Sequence, residues 1–105
     1  MLPLFVSEGK IFIFKFWFNG TIQDGMIYRN ELFCRLQTFE AQYRAQVYHL
    51  GCKLAQQQSF VVITAAKQTC SLWGSLRDPL VKATLVSRTT FTLPQPYSNQ
   101  STQTP

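Results

Sequence analysis

Residues 10–18 read Lys-Ile-Phe-Ile-Phe-Lys-Phe-Trp-Phe, and this run constrains the fold more than any other part of the chain. β-Branched and aromatic residues at strand length, bounded by Gly9 and by Asn19-Gly20, specify a β-strand. With a period of two, Phe12, Phe14, Phe16 and Phe18 share one face, and Ile11, Ile13, Lys15 and Trp17 share the other. Both faces are apolar. A strand with one wet face alternates apolar with polar residues, so the second face of this one has to be covered by the same chain or by another.

The residues that follow indicate how the strand is continued. Asn19-Gly20 is a type I′ hairpin signal, and Asp24-Gly25 repeats it. A hairpin at Asn19-Gly20 with a return strand over Thr21 to Tyr28 accommodates both, with Gly25 as a candidate bulge. From Asn30 the apolar period becomes helical. Leu32, Leu36, Phe39, Tyr43, Val47, Leu50 and Leu54 recur in steps of three and four, which predicts one continuous amphipathic helix. Asn30 is its expected N-cap, and Glu31 with Arg35 and Glu40 with Arg44 are its expected i, i+4 ion pairs. Ending near Gln56-Gln57-Gln58, the helix would run for about 26 residues and about 40 Å.

Phe60 to Ala65 is a short apolar run that suits a strand packed on both faces, and Thr69 to Leu76 reads as its partner. There, Cys70, Leu72 and Gly74 fall on one side and Ser71, Trp73 and Ser75 on the other. Asp78-Pro79 would suit a helix start. The β-branched residues Val81, Thr84, Val86, Thr89, Thr90 and Thr92 outweigh it and predict a strand over Leu80 to Phe91. The fold class expected is therefore α+β: an antiparallel sheet of four to five strands on one long amphipathic helix, in the order β-β-α-β-β-β. A single domain would occupy residues 1–93. Residues 94–105, rich in Pro, Gln, Ser and Thr, are expected to be a flexible polar tail.

Composition narrows the function. In a chain of 105 residues, 46% hydrophobic and 14% charged, one core is available and few charges remain to cover the exterior. A net charge of +5 favours acidic partners in general, but the basic residues are scattered and form no nucleic-acid arm. Three cysteines, Cys34, Cys52 and Cys70, lack the spacing of a zinc or redox site and point to a reducing cytoplasm. Neither a secretory leader nor a membrane span is expected.

His49 lies one helical turn from Cys52, the only pairing with nucleophilic character. A nucleophile also needs an orienting group and an oxyanion site, and neither is marked. No catalytic residue, metal site or cofactor is expected, and each acidic residue has a structural explanation. Apolar surface in excess of what one helix can cover remains to be explained. Its expected role is non-enzymatic: a small adaptor or chaperone-like assembly factor, binding another protein or a second copy of itself. The contact residues expected for that role are Ile11, Ile13, Lys15, Trp17, Tyr28 and Trp73. The alternative is a basic nucleic-acid-binding domain with aromatic residues stacking bases on the sheet.

Overall fold

The computed structural model describes residues 3–94, and within them the chain is α+β. Six strands are present: β1 (Leu4–Ser7), β2 (Ile13–Phe18), β3 (Thr21–Tyr28), β4 (Glu31–Glu40), β5 (Val61–Ala65) and β6 (Thr69–Ser75). Two helices complete the fold, α1 (Arg44–Gln56) between β4 and β5, and α2 (Pro79–Ser87) after β6. The sheet runs in the order β1-β5-β6-β4-β3-β2. It is mixed rather than antiparallel, because β1 lies parallel to β5 while every other pair is antiparallel. The expected tail lies outside the described residues, apart from Pro94.

The hairpin at Asn19-Gly20 forms as its sequence dictates. Both residues take positive φ, 52° and 77°, and Phe18 faces Thr21 across the turn. Gly25 does not bulge. It pairs with Phe14 and Cys34, and the rings of Phe14 and Phe16 lie across it, so a Cβ there would sit 2.9 Å from both. We expect Gly25→Val to cost about 1–2 kcal/mol through overpacking and to swing the two rings outward; urea unfolding, with self-association followed by light scattering, measures both effects.

The largest departure from expectation is at residues 30–40. The expected long helix is a 13-residue α1 preceded by the ten-residue strand β4. Asn30 is not an N-cap. Arg29 and Asn30 both take positive φ, 51° and 63°, and make a second two-residue turn, which joins β3 to β4 with Tyr28 opposite Glu31. Neither expected helical ion pair forms: Glu31 accepts from the Ser75 hydroxyl, Arg35 binds Asp24, and Glu40 binds Gln42. The bulge lies between Arg35 and Gln37, at Leu36. Leu80 to Phe91 is likewise not a strand. Asp78 caps α2 by accepting from the Leu80 N–H at 2.9 Å, with Pro79 at the first helical position. At Gly74 a Cβ would come within 2.5 Å of Val81, which shows how closely α2 approaches the sheet.

Each sheet face has its own core. On the convex face, Val47 and Leu50 of α1 pack on Val61, Ile63, Cys70 and Leu72. Gln37 also holds the segment after α2 there, accepting from the Phe91 N–H at 2.7 Å and donating to its C=O at 3.3 Å. The concave face buries Met26, Phe33, Val62 and Trp73 beneath Leu4, Val6, Ile11, Ile13 and Tyr28. Its cover is the N-terminal segment itself. Flat, six strands would hold β1 and β2 about 24 Å apart. The link between them, which includes a 3₁₀ turn at Glu8–Lys10, spans at most about 17 Å. The sheet must therefore curl, and the link crosses its hollow. No described helix is long and apolar enough to cross a membrane.

Candidate functional site

Outside the two cores stand the edge of β2, which like β1 lies at an end of the sheet order, and a charged cluster in the hollow behind it. Among the described residues β2 ends the sheet order, so only its β3 side is paired. Across a two-residue hairpin the residues flanking the turn, Phe18 and Thr21, exchange backbone hydrogen bonds. Alternation from there turns the N–H and C=O groups of Trp17, Lys15 and Ile13 outward, toward the open edge.

The side chains along this edge are mainly aromatic. Phe12 is 79% exposed and Trp17 70%. Phe12, Phe14 and Phe16 form a ladder on the convex face, with ring centroids 6.2 Å apart at each step. The helix α1 packs elsewhere, on β5 and β6, and Ile27 beside the ladder is also exposed. On the concave side, Trp17 faces Ile22 across the hairpin, and both are exposed.

Arg35 organises the cluster in the hollow. Its Nε donates to Asp24 at 2.9 Å, another guanidinium nitrogen donates to the Ser71 hydroxyl, and Glu8 lies 3.6 Å away. The guanidinium also stacks over Trp73, 4.5 Å from the ring centroid. Trp73 in turn donates its indole N–H to Thr64 at 2.8 Å, and the Thr64 hydroxyl donates to Glu8 at 2.9 Å. Lys15 completes the cluster by pairing with Asp24. Burial pushes the Asp24 carboxyl up, but the hydrogen bond from Lys15 and the charge of Arg35 outweigh it and hold the group below its usual value. Two bases facing two acids leave no net charge for an anion or a cation to neutralise.

The structure thus divides the six contact residues expected from the sequence. Ile11, Ile13, Tyr28 and Trp73 meet in the concave core, where Trp73 is completely buried. Lys15 and Trp17 stand at the edge. Sequence reasoning overlooked Arg35, Ile22 and Ile27, and did not name the phenylalanine ladder as a contact surface. Only the ladder had a signal, in its strict alternation.

The three cysteines stand on three different elements, β4, α1 and β6. Cys34 lies on β4, not on a helix with Cys52, and burial together with the Asp24 charge pushes its thiol up to about 11, so it stays protonated at neutral pH. Burial also raises Cys70, against the opposing charge of Arg44. His49 lines a shallow depression with Phe5, Arg44, Ala45 and Tyr48, which Cys52 does not enter. Among the described residues no three His, Cys, Asp or Glu side chains are grouped to hold a metal. No protein-family profile matches this sequence, no curated protein matches it, and no solved structure matches its fold.

Proposed function

We propose that the protein is a non-enzymatic binding module, an adaptor or assembly factor that captures an extended segment of a partner chain by strand addition along β2. The observation that carries this reading is the unpaired edge of β2, with aromatic rings on both of its faces. Backbone groups of Ile13, Lys15 and Trp17 would supply affinity, and the Phe12 to Phe16 ladder and the Trp17–Ile22 pair would supply side-chain selectivity. Edge strands are commonly guarded by a charge, most often lysine. Here Lys15 is drawn back onto Asp24 of β3, which weakens that guard. Free thiols at Cys34, Cys52 and Cys70 suit a reducing, cytoplasmic setting.

A nucleic-acid platform has less support. It needs cations beside the stacked rings, whereas Lys15 leaves the Phe14 and Phe16 face for an ion pair on the other.

Trp17→Pro tests the proposal, because it removes one outward N–H without touching the β3 side. Partners captured from the native host by the wild-type protein are expected to be lost with Trp17→Pro while the circular dichroism spectrum is retained. In the complex, amide exchange at Ile13, Lys15 and Trp17 should slow by roughly tenfold or more. Equal capture by the variant, or protection confined to another element, would count decisively against strand addition at β2.

A further inference from the structure

We infer that the mouth of the curled sheet, at the end marked by the β3–β4 turn, binds a small amphipathic carboxylate, its apolar part inside the hollow and its carboxylate on Arg29. This site is separate from the β2 edge and does not depend on the proposed function.

The cavity follows from the topology. Because β1 and the β3–β4 hairpin are not hydrogen-bonded neighbours, the curl leaves an opening between them at this end. The opening measures about 310 Å³ and is walled by Leu4, Tyr28, Phe33, Phe60 and Val62. That volume falls at the lower end of small-molecule sites, and an apolar wall with a few polar groups at the rim is their usual make-up. The floor belongs to the concave core, since Phe33 and Val62 are both buried there.

Arg29 and Glu31 are the charged residues at the rim. Glu31 is engaged by the Ser75 hydroxyl. Arg29 has no carboxylate within salt-bridge distance among the described residues, and its guanidinium lies over the Tyr28 ring, 5.4 Å from the centroid. It is therefore directed along the cavity wall with its hydrogen-bond donors unspent, in the planar fork that suits a carboxylate. At φ 51° Arg29 is the first residue of the two-residue turn that joins β3 to β4, and this turn sets the guanidinium at the cavity rim.

The ligand class follows from wall and handle together. A single acid group on a short aliphatic or aromatic body satisfies both; a cation would meet Arg29 unfavourably, and a neutral apolar molecule would leave the guanidinium unused. Octanoate is a suitable probe, with octanol and octylamine as its neutral and cationic counterparts. In an NMR titration of the full chain, octanoate is expected to give saturable shifts at the methyl groups of Leu4 and Val62, with a dissociation constant on the order of 0.1–1 mM for a ligand of this size. Octanol should bind roughly fivefold or more weakly, and octylamine more weakly still.

Arg29→Asn keeps a residue that accepts positive φ and removes the guanidinium. It should weaken octanoate roughly five- to tenfold, leave octanol unchanged and not lower the melting temperature. Absence of saturable shifts at the cavity methyls, equal binding of acid and alcohol, or unaltered octanoate binding by Arg29→Asn would each overturn the assignment. Because none of these readouts involves the β2 edge, failure here is distinguishable from failure of strand addition.

Discussion

Trp73→Ala is expected to cost about 3–5 kcal/mol, the range for truncating a fully buried aromatic side chain. A chain of 105 residues typically holds only about 5–15 kcal/mol in total, so this one change would remove at least about a fifth of the stability. Several losses combine. The indole fills the centre of the concave core against Met26, Phe33 and Val62, where little of the surroundings can collapse into the space. Its N–H is the donor to Thr64, and its ring is the platform for the Arg35 guanidinium. Trp73→Phe separates these contributions: it retains a ring for Arg35 but removes the donor, and about 1–2 kcal/mol should be lost. Urea unfolding followed by far-UV circular dichroism suits the measurement, because both variants lack the Trp73 fluorophore and the remaining Trp17 is already 70% exposed. A loss below about 1.5 kcal/mol for Trp73→Ala would mean that the N-terminal segment is not a fixed cover and that the hollow can close without the indole.

How far the sequence discloses this fold depends on whether local and long-range physics agree. In β2 they agree from Ile13 onward, where the alternation, the Asn19-Gly20 turn and the assignment of residues to two faces reappear; the strand starts three residues later than expected because Lys10 ends a 3₁₀ turn. The strands β5 and β6 were also legible, as was the side of β6 on which Trp73 lies. In β4 the two conflict, and the bulge explains why. Leu32 to Leu36 is two strand repeats, which is also one helical step of four. At Leu36 the bulge inserts a residue, so that Gln37 and Phe39 fall on the convex side with Leu36. The interval from Leu36 to Phe39 then becomes three, and a bulged strand reproduces the three-and-four spacing of a helix. Tyr43, Val47, Leu50 and Leu54 continue the same spacing, of which Val47, Leu50 and Leu54 lie in the true helix and pack on the sheet. No break in the pattern marks residue 41.

The misreading of α2 has the opposite origin. A strong local signal, the Asp78-Pro79 cap, was outvoted by β-branched residues whose strand preference is weak and dependent on context. The candidate site was legible only at Lys15 and Trp17, because their strand was. Arg35 could not be recognised as its organising residue from local sequence. Its partners Asp24, Glu8, Ser71 and Trp73 come from other strands and from the crossing link, and only the curl of the sheet brings them together.

Arg35→Leu is the second change with a large expected effect, and its dependence on pH separates charge from packing. The guanidinium stands between Asp24 and Glu8, all three with about a fifth of their side-chain surface exposed. Without it, two partly buried carboxylates face one another with Lys15 as the remaining base, and a loss of about 2–4 kcal/mol is expected at neutral pH. Since the folded-state pKa of Asp24 lies below its usual value, its ionised form contributes stability above the ordinary carboxylate range. That contribution disappears as pH falls through the folded pKa. The difference between wild type and Arg35→Leu should therefore be largest near pH 7 and shrink toward pH 3 as Asp24 begins to take up its proton. Arg35→Lys keeps the charge without the planar fork, and should recover less than half of the loss. Glu8 belongs to the link that covers the hollow and is tied to it through Arg35 and Thr64. Loosening that tie should speed amide exchange in Leu4–Ser7, whose only partner strand among the described residues is β5, before it affects β5 or β6. A stability gap equal at pH 3 and pH 7 would show that Arg35 acts through its stacking on Trp73, and a β1 exchange rate unchanged by the substitution would show that the charges do not fasten the cover.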